Sequence, residues 1–280
     1  MLLPPGAPRG TRAREIIELY HLDENVLVRY IYWLADAAHG DFGYSTISDQ
    51  SVTDTLTHRI PISLQLMLVG VGLAVAIAIP LGLLAVAWRN TIGSKILSVF
   101  FGLSQGIPIY VTPLFLIALF AVELQWLPAS GWIRISESLS GNLTNSILPL
   151  AALVFAEVGI IARIVSADVS RVLDTDYIVA AIGKGLSYRY VLFRHALRPA
   201  SLGLLNLVGL NIGTLLSGAL VIEIIFGLGG LGRVLFEATI GRDLPMLLGL
   251  TTYGVVVHKT LSTIVDGIMM IADPRIRRAG

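Results

Sequence analysis

Residues 63–87, "SLQLMLVGVGLAVAIAIPLGLLAVA", decide the fold of this chain, because they form a long apolar stretch without a charged residue. A helix needs roughly 20 mostly apolar residues to cross about 30 Å of hydrocarbon. Backbone groups in lipid must be satisfied within the spanning structure, and the alternating pattern of barrel strands is missing here. The stretch therefore predicts a membrane-spanning helix.

Four further stretches meet the same criterion: residues 96–122, 146–165, 201–226 and 245–271. Of the 280 residues, 55% are hydrophobic and 14% are charged, whereas soluble domains are about a quarter charged. The sequence thus predicts an all-α polytopic membrane protein with five visible spans. Pro80, Pro108 and Pro113 lie in or beside the first two spans, where prolines mark kinks or re-entrant turns or serve packing alone.

The placement of Lys and Arg predicts the orientation of these spans. Because basic connections remain on the cytoplasmic side, the side richer in Lys and Arg, which includes the C-terminus, is predicted to be cytoplasmic. That side holds Arg89, Lys95, Arg163, Arg171, Lys184, Arg189, Arg194, Arg198, Arg275, Arg277 and Arg278. The two connections on the other side, residues 123–145 and 227–244, hold only Arg134, Arg233 and Arg242.

Several classes of function are disfavoured by the residues themselves. A formal net charge of +1 argues against a nucleic-acid partner, and the absence of cysteine excludes disulfides and thiolate zinc sites. The five histidines never fall three to five residues apart, so local spacing predicts no metal site and no catalytic cluster. "GLGGLG", residues 227–232, follows a span rather than a strand, and "GKG", residues 183–185, lacks the phosphate-loop spacing. The chain is predicted to bind no cofactor and to be no enzyme.

Residues 166–200 are too polar for lipid and too long for a tight turn. Their pattern predicts a helix over residues 177–183, a left-handed glycine at Gly185 and a second helix capped by Ser187. Small residues along the first helix, Ala180 and Ala181, permit close approach by a partner. The nearby basic and aromatic residues suit an interface rim, although basic cytoplasmic loops are common in any membrane protein.

The order of these residues resembles the EAA loop of ABC-transporter permease subunits. Ala180 and Ala181 precede Gly185 by the motif spacing, and "HALRPA" follows at residues 195–200. Val179 stands where the general motif has Glu, but the "AIGKGLS" core and the "HALR" ending are typical of the dipeptide, oligopeptide and nickel importer branch. Residues 40–66, residues 216–245 and the ending "DPRIR" at 273–277 resemble the B-type subunit of that branch as well.

This resemblance implies a type I ABC importer transmembrane bundle, with a permease domain at 61–280 and a cytoplasmic coupling loop at 166–200. The family has six spans, and the first is expected to be the one that is missing here. Residues 1–60 are then extracytoplasmic, although they carry five arginines and no export signal. Within them, residues 11–38 predict an amphipathic helix that caps the surface; its apolar face carries Val26, Leu27, Tyr30, Ile31 and Leu34.

The function implied is that of a permease subunit of an ATP-driven di- or oligopeptide importer in a bacterial or archaeal cytoplasmic membrane. The implied partners are a second permease subunit, two ATPase subunits that bind ATP and magnesium, an extracytoplasmic binding protein and membrane lipid, but no nucleic acid. The residues implied to dock the ATPase are Tyr177, Ala180, Ala181, Lys184, Gly185, Leu186, Ser187, Arg189 and His195.

Polar residues in or near the spans are expensive in lipid and are candidates for the substrate path. They are Glu157, Asn211, Glu223 and Lys259. For Lys259 a contact with a partner helix is an alternative. A different class of function, an ion-coupled secondary transporter, would use His258, Lys259 and Asp266 as a relay. A third, a scaffold that anchors other proteins, would leave the coupling loop dispensable for transport.

Overall fold

The computed structural model describes residues 24–197 and 217–272, together with residues 203 and 214. The helices of this part, in chain order, are α1 (Val26–Ala38), α2 (Val52–Ala87), α3 (Ile92–Gly106), α4 (Val111–Leu116), α5 (Leu139–Leu173), α6 (Asp176–Gly183), α7 (Tyr188–Tyr190), α8 (Ser217–Phe226), α9 (Leu231–Gly241) and α10 (Leu244–Ala272). Two π-helical segments, Ile117–Glu123 and Val191–Ala196, continue α4 and α7 respectively.

Among the described residues, three helices are long and apolar enough to cross a membrane: α2, α5 and α10. Two further candidate spans are bent pairs, since α3 meets α4 with its π-helical continuation at 104° and α8 meets α9 at 86°. Counting each pair as one span gives five candidates, the number that the sequence predicts. The pair α8–α9 covers residues 217–241, however, whereas the sequence predicts a span at 201–226, most of which lies outside the described residues. The bend between α3 and α4 means that the stretch 96–122 is not one straight helix. Its break lies at Pro108, which has no N–H to donate to a continuing helix.

α2 and α5 form the centre of the bundle and pack closely through glycine. A side chain at Gly70 would collide with Leu153, and a Cβ at Gly82 would lie 2.8 Å from the carbonyl oxygen of Ala162. Small residues at such crossings let two helix backbones approach within van der Waals contact, which stabilises helices in lipid. These glycines bring the two longest helices into close contact over the middle of the bundle.

Three buried clusters connect other helices of the bundle to this pair. One joins α2, α3, α5 and the second π-helical segment, and it includes Ala74, Phe101, Val158 and Leu192. Another joins α2, α5 and α8 through Leu66, Leu153, Ile222 and Phe226. The last joins the beginning of α2 to α9 and α10 through Val52, Leu231 and Met246. The first cluster attaches the segment after α5 to the bundle, which matters for the site below.

α1 is the described part of the amphipathic helix predicted over residues 11–38; residues 11–23 of that prediction lie outside the described part. Asn25 caps α1, because its Oδ1 accepts a hydrogen bond from the Leu27 N–H at 3.0 Å. None of the residues of α1 is buried. The side chains of Val26, Leu27, Tyr30 and Ile31 are more than half exposed, so α1 lies on the surface of the bundle.

The junction between α9 and α10 is tied to the loop that precedes α2. The buried carboxylate of Asp243 accepts hydrogen bonds from the Ser45 hydroxyl and from the N–H and hydroxyl of Thr46. It also accepts from the Met246 N–H at the beginning of α10. One acidic side chain thus holds two distant parts of the chain together at one end of the bundle.

Candidate functional site

The segment predicted to be a coupling loop begins later than the sequence indicates. α5 continues to Leu173, so residues 166–173 are its last turns rather than loop. Asp174 caps this helix through its backbone N–H, and its carboxylate lies 3.6 Å from Arg89 Nη1 in the turn between α2 and α3. Both side chains are about two-thirds exposed, so this ion pair contributes little stability.

α6 is held against the bundle at two points. Ile178 is only 1% exposed and is the one buried residue of this helix. The hydroxyl of Tyr177 donates a hydrogen bond to the carbonyl oxygen of His195 at 3.0 Å, which connects α6 to the π-helical segment 191–196. Val191, Leu192 and Ala196 of that segment are buried, so α6 and this segment are one supported unit.

The break after α6 has the geometry that the sequence predicts. Gly185 has φ +84°, in the left-handed region that glycine adopts without a steric penalty. The N–H of Leu186 donates to the Ala181 carbonyl at 3.3 Å, which closes the helix end. The Ser187 hydroxyl then accepts from the Tyr190 N–H at 3.4 Å and caps α7.

The outer side of this unit is apolar and aromatic. We call it the α6–α7 surface; its large exposed side chains are Tyr177, Val179, Ile182, Leu186, Tyr188, Tyr190 and Phe193. Val179 is the most exposed residue of the surface, at 64%, beside the buried Ile178. A group of exposed apolar side chains outside the candidate spans is typical of a surface that contacts another protein or the membrane.

Sequence reasoning placed the docking residues in this segment but missed three that dominate its surface. Val179, Ile182 and Phe193 were not among the predicted residues, although each is about half or more exposed. Helical spacing gave no signal for this in α6, because Ile178 and Ile182 are four residues apart and lie on the same side of the helix, yet only Ile178 is buried.

The other predicted docking residues lie on or beside this surface. Ala180 and Lys184 are exposed, whereas Ala181 and His195 are half-buried. The His195 ring lies 5.5 Å from the Tyr190 ring in an edge-to-face arrangement. The side chain of Arg189 lies outside the described part of the chain. The structure thus brings the described docking residues together on one small unit.

Glu157 and Glu223, two candidates for the substrate path, are both buried. Glu157 lies midway along α5 and is 9% exposed, and no hydrogen-bonding partner is found for it among the described residues. Glu223 lies in α8 and is completely buried. No contact joins the two carboxylates, so the structure does not assemble them into one site.

Glu223 holds the bend between α8 and α9. One carboxylate oxygen accepts from the Gly232 N–H at 2.8 Å, and the Ser63 hydroxyl of α2 accepts from the neighbouring Leu231 N–H at 2.9 Å. A Cβ at Gly230 would collide with this carboxylate, so a larger residue there would have to displace it. The run "GLGGLG" is thus a tight turn with left-handed Gly227 and Gly229, as the sequence predicts, and no strand precedes it in the described part of the chain.

Lys259 lies in the middle of α10, on its exposed side. Neither Lys259 nor Asp266 takes part in an ion pair among the described residues. Asn211 lies outside the described residues. The three described path residues, Glu157, Glu223 and Lys259, therefore lie on three separate helices.

A cavity of about 500 Å³ opens at the end of the bundle where α2 begins. One wall is a face of α2 that includes His58 and Gln65, and the other is the segment from Trp132 to Ser136 with Arg134. The amide of buried Asn142 fixes this segment, since it accepts from Gln65 Nε2 at 2.7 Å and donates to the Ile133 carbonyl at 2.6 Å. The cavity has a rigid, partly polar wall at the end opposite the α6–α7 surface.

Comparison with known proteins shows the family to which this chain belongs. The family model for the "binding-protein-dependent transport system inner membrane component" matches residues 78–278. The oligopeptide transport system permease protein OppB of Salmonella typhimurium is 35% identical over 285 residues, covering 99% of this chain and 91% of that protein. A putative peptide transport system permease protein of Brucella abortus is 33% identical, covering 97% of this chain and 86% of that protein.

A solved structure of the MetNI methionine ABC transporter in an inward-facing conformation has the same fold. Its TM-score is 0.65 at 18% identity, and the match covers 78% of this chain and 96% of that one. These similarities favour an ATP-driven importer over the ion-coupled alternative. The chain belongs to the family of binding-protein-dependent transport system inner membrane components and is a permease subunit of an ABC importer.

Proposed function

We propose that this chain is one of two transmembrane subunits of an ATP-driven importer of di- and oligopeptides. The observation that carries the proposal is the similarity to OppB, an oligopeptide permease, over 99% of the chain. A second permease subunit forms the other half of the pathway, and an extracytoplasmic binding protein delivers the substrate. ATP and magnesium bind to the two ATPase subunits, and this chain translocates without catalysing a reaction.

The α6–α7 surface is the dock for an ATPase subunit. Its exposed apolar and aromatic side chains, of which Val179 is the most exposed, offer area that a protein partner would bury. The Gly185 turn presents Lys184 and Leu186 beyond the end of α6, and both are exposed. Arg189 and the small residues Ala180 and Ala181 complete the dock.

Movement of this dock reaches the spans through packed contacts. Ile178 anchors α6 in the bundle, and the hydrogen bond from Tyr177 to His195 connects it to the buried segment 191–196. Leu192 of that segment packs in the same cluster as Val158 of α5 and Ala78 of α2. Closure of the ATPase pair therefore displaces α6 and the central helices as a rigid body between two states of access.

The orientation follows from this assignment. The α6–α7 surface and the C-terminus lie on the cytoplasmic side of a bacterial or archaeal inner membrane, in agreement with the excess of Lys and Arg there. Residues 1–60, the Asp243 junction and the cavity beside Arg134 then lie on the side from which the binding protein delivers substrate. Residues 61–280 form the permease domain, although the α2 helix of that domain begins at Val52.

The test is uptake by the assembled transporter in liposomes. The chain is co-purified with the second permease and the ATPases of its own transport system, and labelled trialanine is supplied with the binding protein. We expect uptake that requires ATP and the binding protein and that survives a proton ionophore. Uptake that persists without ATP and stops with the ionophore would contradict ATP coupling. ATP-dependent uptake of another solute but of no peptide would contradict the proposal that the substrate is a peptide.

A further inference from the structure

The cavity where α2 begins has the volume and the lining of a site for a small molecule. Its volume of about 500 Å³ lies within the roughly 300–1,000 Å³ that is typical of ligand pockets, which combine apolar walls with a few polar groups. A single side chain of a docked protein would fill only a small part of it. The apolar lining residues are Pro61, Ile62, Trp132 and Ile135, and the polar ones are Thr57, His58, Gln65, Arg134 and Ser136.

Arg134 gives the cavity a positive charge that has no counter-ion in the described part of the chain. It takes part in no ion pair there, and no Asp or Glu is among the lining residues. The acidic residues nearest to the lining along the chain, Asp54 and Glu137, lie outside it. A guanidinium group presents five N–H donors in a planar fork that matches a carboxylate. Arg134 therefore favours a ligand that carries a carboxylate.

The backbone that carries Arg134 is held on both sides. Before it, the side-chain amide of buried Asn142 donates to the Ile133 carbonyl at 2.6 Å. After it, the N–H groups of Glu137 and Ser138 donate to the Arg134 carbonyl at 3.0 and 3.1 Å. These bonds fix the point from which the Arg134 side chain extends, so a ligand that binds there has less of the protein to order.

The α2 wall offers hydrogen-bonding groups that a peptide can use. Gln65 Nε2 donates to Asn142 Oδ1 at 2.7 Å, which leaves Gln65 Oε1 able to accept a peptide N–H. His58 Nδ1 lies 2.8 Å from the Asp54 carbonyl oxygen. Because a carbonyl oxygen only accepts, Nδ1 carries the proton and Nε2 is left for a ligand. The cavity thus combines a cation, amide-binding groups and the apolar surface of Trp132.

We propose that this cavity binds a short peptide, and that Arg134 receives its C-terminal carboxylate. The ligand class is an organic carboxylate of di- or tripeptide size. This inference rests on the proposed importer function, which places the cavity on the side of delivery. It adds a site in the permease itself that holds the substrate after the binding protein releases it. An acidic side chain of the binding protein has the same chemistry, but the volume and the apolar lining favour the free peptide.

Affinity labelling tests the site, because the chain has no cysteine and Ser136→Cys places a single thiol in the lining. The assembled transporter, without binding protein, is treated with N-bromoacetyl-trialanine that has a free or an amidated C-terminus. Each rate is divided by the rate with iodoacetamide, which corrects for the reactivity of the thiol. We expect saturable labelling that trialanine blocks. Below saturation it should be about tenfold faster with the free carboxylate, because only that peptide makes a charge-assisted hydrogen bond.

Substitutions of arginine in the Ser136→Cys background test the role of the charge. Arg134→Gln should remove the preference for the free carboxylate, and Arg134→Lys should keep part of it, because the charge remains but the planar fork is lost. The matched control is Arg233→Gln, since Arg233 is also exposed but pairs with Glu237 outside the cavity. This control should keep the full preference.

Uptake of trialanine by the same transporter in liposomes, with the binding protein added, separates the site from the proposed function. Labelling that does not saturate, or that ignores the carboxylate, in a transporter that imports trialanine would overturn the inference while the proposed function stands. If Arg134→Gln leaves labelling unchanged and weakens only the stimulation of ATP hydrolysis by the binding protein, Arg134 contacts that protein and the inference is wrong. If the wild-type transporter imports no peptide, the proposed function fails, but saturable labelling with a carboxylate preference would still support an organic-carboxylate site.

Discussion

Replacing Gly185 by alanine should weaken ATPase binding without unfolding the subunit. Gly185 has φ +84°, and a Cβ built there would meet no atom within 4 Å, so the only penalty is that of the backbone. An L-residue in the left-handed region costs about 1–2 kcal/mol. If the dock requires this turn, the affinity for the ATPase falls about 5- to 30-fold, at 1.4 kcal/mol per factor of ten.

Gly183 provides a matched control two residues earlier. It is the last residue of α6, its φ is not positive, and a Cβ there would also meet no atom within 4 Å. Alanine at this helical position should be neutral or should stabilise α6 by about 0.5–1 kcal/mol. Asparagine at Gly185 should lose less affinity than alanine, because asparagine tolerates left-handed backbone.

The assay is titration of the purified ATPase onto the permease pair in nanodiscs, followed by surface-plasmon detection. Thermal unfolding of the permease pair should change little, because Gly185 is exposed and its turn can relax in the free subunit without disturbing the buried clusters; the backbone penalty is then incurred on binding. Full affinity for Gly185→Ala would refute the role of the turn. An equal loss for Gly183→Ala would show that any added side chain in this segment disturbs the dock and that the backbone reasoning is wrong.

Three other substitutions test neighbouring parts of the structure. Ile178→Ala should destabilise the packing of α6 on the bundle by about 2–5 kcal/mol and make α6 more sensitive to protease. Val179→Ala, at the adjacent exposed position, is the control: it should leave protease sensitivity unchanged and weaken only ATPase binding. Gly230→Ala should lower the thermal stability of the subunit by about 1–3 kcal/mol, because its Cβ collides with the Glu223 carboxylate; unchanged melting would contradict that packing. Asp243→Ala should increase amide hydrogen exchange in residues 44–48, since their hydroxyl and N–H groups lose an acceptor; unchanged exchange would argue against this junction.

The long apolar stretches were predictable because a helix that spans a membrane must reach a minimum length and a high hydropathy. α2, α5 and α10 therefore lie where the sequence places them, although α2 and α5 extend beyond the apolar cores by several turns. The bends were less predictable. Pro108 indicated a break, but its 104° angle depends on how α3 and α4 pack against α5. Hydropathy does not contain that information.

The helix α9 was not predictable from the sequence, for a different reason. Residues 227–244 read as a connection, because glycines and two arginines interrupt the apolar pattern. The structure has a helix there, Leu231–Gly241, whose Leu231 and Val234 pack against Val52 of α2. Contacts distant in sequence decide this element, whereas the glycine turn before it was visible in the sequence.

In the candidate site, local features were predictable and surface features were not. The Gly185 turn and the Ser187 cap follow from short-range backbone chemistry. The exposure of Val179 and Ile182 depends on which side of α6 meets the bundle, and only tertiary packing determines that side. For the same reason, Glu223 was recognised as unusual, but its contact with the Gly232 N–H was not.

The most direct test of the central claim is cross-linking from the α6–α7 surface to the ATPase. A short thiol-reactive photo-crosslinker is attached to Val179→Cys in the assembled transporter. The control is Val122→Cys, because Val122 is similarly exposed and lies near the end of the π-helical segment after α4. The account predicts an ATPase adduct from position 179, lost when the ATPase is omitted, and none from position 122. A transporter that hydrolyses ATP and imports peptide but yields no adduct at 179 would contradict it.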